Sequence, residues 1–290
     1  MASENLIALI KVLRERTGAG MMDCKKALVA TNEDVEKAID WLREKGITKA
    51  QAKASRIAAE GLAHVVVEGN KAIIVEVNCE TDFVSKGEKF HELVDNVARV
   101  TLEHDACCID KARELTQSLF VDATVSMGEK MDFRRFEIVN KNDDETFGSY
   151  IHNGGKIGVL LVLKGGDAEL AKGLAMHIAA NSPKYVSEAD FPAEEIERER
   201  AVQTELTRND PKLAGKPEQM LVNIIENKVK KALSESTLTA QSYLLDDSKN
   251  VGQVLKEKGA SVTRFVRYFV GEGIEKRVDN FAEEVMKEIK

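Results

Sequence analysis

The sequence predicts an α+β protein with a two-part core, and three observations carry that expectation. Apolar stripes of helical period fill the chain up to Gly46. β-rich runs then occur in two pairs, around 64–77 and 148–163, each pair joined by a Gly-containing turn and followed by a helical stretch. Between 194 and 233 the chain becomes highly charged and helical again, which suits an insertion projecting from the body.

In residues 5–46, Leu6, Leu9, Ile10 and Leu13 form a first stripe, and Gly18-Ala19-Gly20 breaks it. Residues 21–30 form a second helix. Asn32 caps a third, with the stripe Val35, Ala38, Ile39 and Leu42 and a stop at Gly46. Such a small unit has a marginal core, and it looks like a ubiquitin-associated three-helix module. Residues 47–60 read as an Ala-rich helical link. The period then changes, giving β-rich runs. Residues 64–68 and 72–77 are strands around the turn Gly69-Asn70. A helix with Phe90, Leu93, Val94, Val97 and Val100 starts near Ser85, and more helix follows a break at Asp105-Ala106.

A second round begins near Phe133, with 133–139 as a strand and 148–152 and 157–163 flanking the turn Asn153-Gly154-Gly155-Lys156. Residues 168–180 are helical. Hairpin then helix thus occurs twice, an architectural repeat of two half-domains. Residues 194–208 and 217–233 read as the arms of an antiparallel helical hairpin. Their apolar positions are Ile196, Val202 and Leu206 on one arm and Leu221, Ile224, Ile225, Val229 and Leu233 on the other. The chain then returns through a short strand at 241–245, a helix at 251–258 and a strand at 261–270, and ends in a helix from about Asp279. The resulting division is 1–54 for the N-terminal module and linker, 55–140 for the first half of the core, and 141–182 with 233–273 for the second. The hairpin insert is 183–232 and the C-terminal module 274–290.

Length and composition narrow the function classes. The 290 residues suit about two domains, and 43% hydrophobic content supports a real core. The net charge of -7 argues against a phosphate-binding surface as the main activity, so no direct nucleic-acid partner is expected. Cys24, Cys79, Cys107 and Cys108 are spaced neither as a disulfide framework nor as a zinc box, and reduced thiols are expected. The N-terminus lacks the features of a signal peptide, and no apolar run approaches the ~20 residues of a membrane helix. A cytoplasmic protein with no membrane partner is the expectation.

No residue pattern favours an enzyme. Gly18-x-Gly20 follows no strand, and Gly154-Gly155-Lys156-Ile157 lacks the upstream Gly and the Ser or Thr of a phosphate loop. His64, His91, His104, His152 and His177 form no ligand pair. Neither a cofactor nor a resident metal is expected. Two segments remain. In Thr81-Asp82-Phe83-Val84, a capping box of Ser85 and Glu88 places Asp82 and Phe83 in the loop between strand and helix. Phe83 there either folds onto the core or is held out beside the Asp82 carboxylate as an interface anchor. Met21 and Met22 point about 100° apart on a helix, so both are not expected to be fully buried. They read as core filler or as an adaptable apolar contact with Arg14 nearby.

Five blocks in one order carry a resemblance. They are residues 17–28 (Thr-Gly-Ala-Gly-Met-Met-Asp-Cys-Lys-Lys-Ala-Leu), 78–84 (Asn-Cys-Glu-Thr-Asp-Phe-Val), 150–160 around Tyr150-Ile151-His152 and Lys156-Ile157-Gly158, 175–180, and 270–276. Together they resemble elongation factor Ts, the guanine-nucleotide exchange factor of elongation factor Tu. Residues 104–131, with Cys107-Cys108, carry nothing over. The resemblance implies a non-enzymatic exchange factor. It implies that Thr81, Asp82, Phe83 and Val84 enter the GTPase domain of elongation factor Tu and dislodge its Mg²⁺. It implies that Arg14, Met21 and Met22 contact the same domain, that His152 contacts a β-barrel domain, and that residues 184–232 make a homodimer. The other expectation is an adaptor that binds a peptide or a ubiquitin-like partner through the N-terminal module. Release of labelled GDP from elongation factor Tu separates the two.

Overall fold

A computed structural model describes residues 2–213 and 215–275. The expected helix near Asp279 lies outside the described residues. The described chain is mixed α and β with antiparallel sheets, as the sequence predicts.

Three helices open the chain: α1 (Ala2–Thr17), α2 (Met21–Ala30) and α3 (Val35–Lys53). They bury Leu13, Cys24, Ala27, Leu28, Ala38 and Leu42 against one another. Two expected boundaries move. Asp34, not Asn32, caps α3 and accepts from Lys37 N at 3.1 Å. Asn32 and Glu33 instead form the turn, both in left-handed conformation. Gly46 does not stop α3, which runs on to Lys53. A Cβ at Gly46 would lie 2.6 Å from Val125 Cγ2, so this glycine serves close helix packing.

The first half of the core contains β1 (Glu60–Glu68), β2 (Lys71–Cys79), the one-turn helix α4 (Asp82–Ser85), α5 (Glu88–Glu103), α6 (Ile109–Met127) and β3 (Met131–Asn140). Its sheet runs β1-β2-β3, all antiparallel. The strand read as opening the second round therefore completes the first sheet, because β3 takes the free edge of β2. The second half has β4 (Glu145–His152), β5 (Ile157–Lys164) and α7 (Ala168–Asn181). The hairpin arms α8 (Ala193–Arg208) and α9 (Glu218–Glu235) come next. The chain returns through β6 (Ser242–Tyr243), β7 (Asp246–Asn250), α10 (Val251–Glu257) and β8 (Ser261–Phe269). The second sheet runs β4-β5-β8, again antiparallel.

The two sheets lie face to face between outer helices. Successive residues of a strand point to opposite faces. Ile73, Val75 and Val77 of β2 pack with Phe90, Val94 and Val97 of α5. Ala72 and Ile74 pack instead with Leu160 and Val162 of β5. On the far side Val159, Leu161 and Leu163 meet Leu174 and Ile178 of α7. A central strand covered on both faces reads as an unbroken apolar run, which is why β5 is Ile-Gly-Val-Leu-Leu-Val-Leu.

Fully buried Glu76 also fastens the halves together. Its carboxylate accepts from Arg134 Nη1 at 2.9 Å and Arg135 Nε at 2.6 Å, both on β3. It also accepts from Asn78 Nδ2 at 3.2 Å and from the backbone N–H of Gly271, just past β8, at 2.9 Å. At the root of the hairpin the chain closes on itself, with Lys184 N donating to Ser236 O and Leu238 N to Tyr185 O, each at 2.9 Å. No helix among the described residues is long and apolar enough to cross a membrane.

Candidate functional site

The most exposed large apolar side chain in the described chain is Phe83, 88% accessible. Its position follows from the turn that carries it. β2 pairs with β1 as far as Cys79 opposite Glu60. Thr81, still extended, then caps α4, its Oγ1 accepting from Val84 N at 3.4 Å. The expected capping box of Ser85 and Glu88 does not form. Ser85 is buried at the end of α4, its hydroxyl donating to Asp82 O, and Gly87 precedes α5 with no side-chain cap. Thr81 wins because the chain leaves β2 in the extended conformation an N-cap requires, four residues before the expected cap Ser85. Asp82 and Phe83 thus lie in a helical turn, not a loop.

Within that turn Val84 packs on the first core cluster and Ser85 is buried. Phe83, about 100° round the axis from Val84, is thereby turned to solvent. It does not fold onto the core. Asp82 is half exposed and bonded to Lys86 Nζ at 2.6 Å. The Lys86 ammonium holds its carboxyl below the usual carboxylate range, with a smaller contribution from Lys156.

The turn is held from behind. Glu129 accepts from Glu80 N, Thr81 N and Thr81 Oγ1 at 3.1, 3.0 and 2.6 Å. Glu80 in return accepts from Lys130 N at 2.6 Å and pairs with Arg56 at 3.1 Å. The Cys79 thiol donates to Thr81 O at 3.2 Å, and burial pushes its pKa up to about 12, so it stays protonated as a donor. Sequence reading missed Glu129 and Lys130 because they come from the segment that carried no part of the resemblance. Only the fold brings them beside residues 80 and 81.

His152 ends β4, exposed, its Nδ1 3.2 Å from Tyr150 Oη. The turn after it docks onto β1. Ala63 N donates to Gly155 O at 2.7 Å, and Lys156 pairs with Glu60. Glu60 faces Cys79 across the ladder, so the His152 turn and the Phe83 turn border the same end of the first sheet. Arg14, Met21 and Met22 lie apart on the N-terminal module, all exposed. Met21 and Met22 are 59% and 60% accessible, so neither fills the small core, which is built from Cys24, Ala27 and Leu28 of that helix. The module rests on the core through Gly46 against α6, Lys53 donating to Gly128 O, and Arg43 with Asp122 at 3.2 Å. No group of three or more His, Cys, Asp or Glu among the described residues is placed to hold a metal ion.

What this surface offers is an exposed aromatic ring with a carboxylate beside it, on a turn hydrogen-bonded to the core. A family model described as "Elongation factor TS" matches residues 80–272. The match is more than half the chain, begins at the clamped turn and ends just past β8.

Proposed function

The chain belongs to the elongation factor Ts family, a nucleotide exchange factor family of translation elongation, and from that premise we propose that it binds GDP-bound elongation factor Tu and drives Phe83 and Asp82 into its magnesium and phosphate site. The observation that carries this reading is the exposure of Phe83 on a turn clamped to the core. In this reading the chain makes no covalent bond and needs no cofactor. Phe83 wedges into the partner, Thr81 and Val84 fix its direction, and the Asp82 carboxylate disturbs the cation that neutralises the nucleotide phosphates. Weakened Mg²⁺ means weakened GDP. By linkage, GDP weakens the factor's hold in the same ratio, so incoming nucleotide releases it. Net direction follows the cellular GTP level. Catalysed release of labelled GDP from purified elongation factor Tu tests the proposal, and a rate equal to spontaneous release would end it.

Arg14, Met21 and Met22 are proposed as a second contact with the GTPase domain, and His152 as a contact with a β-barrel domain of the partner. Met21→Ala and Arg14→Ala are each expected to weaken binding by about 1 kcal/mol, roughly fivefold in Kd, without changing the melting temperature. Calorimetry that finds wild-type affinity in both variants would remove the module from the interface.

The hairpin is proposed as the site of homodimerisation. Ile225 and Val229 of α9 are buried, yet Val202, Leu206, Met220 and Val222 remain about half exposed. Two arms alone leave this apolar surface in water. Deleting 184–232 is expected to give a folded monomer that still exchanges nucleotide, because the ends to be joined lie side by side at the hairpin root. A full-length chain that stays monomeric at high concentration in light scattering would refute the dimer.

A further inference from the structure

We propose that Glu129 is a positioning residue that holds the Phe83 turn in its binding-competent shape, an inference that rests on the exchange role given to Phe83 above. Glu129 follows Gly128, the left-handed residue that ends α6, and precedes β3. The amides of Glu80 and Thr81 lie beyond the last ladder residue of β2. The bonds of α4 begin only at Ser85 N, which donates to Thr81 O. Two backbone donors therefore need a partner at the point where strand becomes helix. The half-buried Glu129 carboxylate takes both, and the Thr81 hydroxyl as well.

Because the acceptor is charged, these are the stronger class of hydrogen bond. They also form a chain. Thr81 Oγ1 donates to Glu129 and accepts from Val84 N, so the carboxylate orients the hydroxyl that caps α4. Glu80 returns the same service to Lys130 N, locking the two turns reciprocally. A four-residue helix cannot sustain itself in water. Its order, and hence the direction of Phe83, is imposed by this clamp and by Val84 packed beneath.

The consequence is a change in apparent affinity. If the competent turn is populated only a fraction of the time, apparent affinity falls by that fraction while the bound complex is unchanged. Glu129→Gln keeps the size but removes the charge and turns an amide N–H toward backbone donors. The full-length chain is titrated against elongation factor Tu loaded with fluorescent GDP. The factor concentration for half-maximal release is expected to rise about tenfold, with the saturating rate nearly unchanged. Amide hydrogen exchange of the free protein is expected to quicken about tenfold or more at residues 80–85 and stay slow in β2. Thr81→Val, which removes the shortest of the three bonds, is expected to loosen the same amides, and the double variant to exchange no faster than Glu129→Gln alone.

Wild-type amide protection at 80–85 in Glu129→Gln would overturn the clamp whatever Phe83 does. Lost protection with unchanged half-saturation would overturn its positioning role. Phe83→Ala, measured in parallel, judges the exchange reading separately. If that variant keeps a normal saturating rate, the function of the turn is wrong, and the amide data still decide whether Glu129 holds it. Should Glu129→Gln fail to fold, Glu129→Asp, which keeps the charge and the Thr81 cap but shortens the reach to the two amides, decides by its amide protection at 80–85.

Discussion

Phe83→Ala is expected to lower catalysed GDP release from elongation factor Tu about 30-fold, at saturating factor as well as below it, if the anchor contributes ~2 kcal/mol to the exchange transition state. The same variant is expected to melt at nearly the wild-type temperature. Phe83 is 88% exposed, so its removal opens no cavity, and Val84 beneath it keeps the turn on the core. Asp82→Ala is expected to slow release as well, by less, with a small stability change, because its partner Lys86 lies on the surface and stays solvated. Stability and exchange thus separate. A sharply lowered melting temperature with normal exchange per folded molecule would make Phe83 a structural residue and refute the wedge.

The largest stability effect is expected at Glu76. Glu76→Gln keeps the shape of the side chain but takes from the partly buried Arg134 and Arg135 their fully buried counter-charge, leaving Arg135 only Glu272 at 3.5 Å. Breaking a buried pair by removing one partner costs about 3–5 kcal/mol. For a chain of this size that lowers the thermal midpoint by roughly 10 °C. The loss should fall on the join between halves, since Glu76 on β2 also holds the N–H of Gly271 after β8. Calorimetry with an unchanged midpoint would show that the two guanidinium groups find other partners and that the halves do not depend on this carboxylate.

The same two residues show how far the chain could be read in advance. Periodicity alone determined the α+β class, the antiparallel sheets, the two hairpins and the helical arms, because turn chemistry and the step from period 3.6 to period 2 are local properties. Block order pointed to the family. Local chemistry erred where two signals competed. Asn32 and Gly46 looked like helix ends, yet Asp34 caps α3, and Gly46 is a packing contact against Val125 that no local rule foresees. Ser85 looked like a cap, but Thr81 reached the required extended backbone first.

Sequence left open whether Phe83 was core or anchor. Tertiary structure excluded the core and put Phe83 in solvent, because only one face of a single helical turn can meet the core and Val84 occupies that face. It likewise decided which carboxylates matter. Glu76 is a lone carboxylate in an apolar strand, without a visible partner until two sheets close over it. Glu129 belongs to a segment without any motif until the turn before β3 is laid beside the turn after β2. Patterns along the chain report which face of an element is apolar. Which donors are left unpaired, and which distant carboxylate reaches them, depends on contacts between residues about 50 positions apart, and these exist only once the sheet has formed.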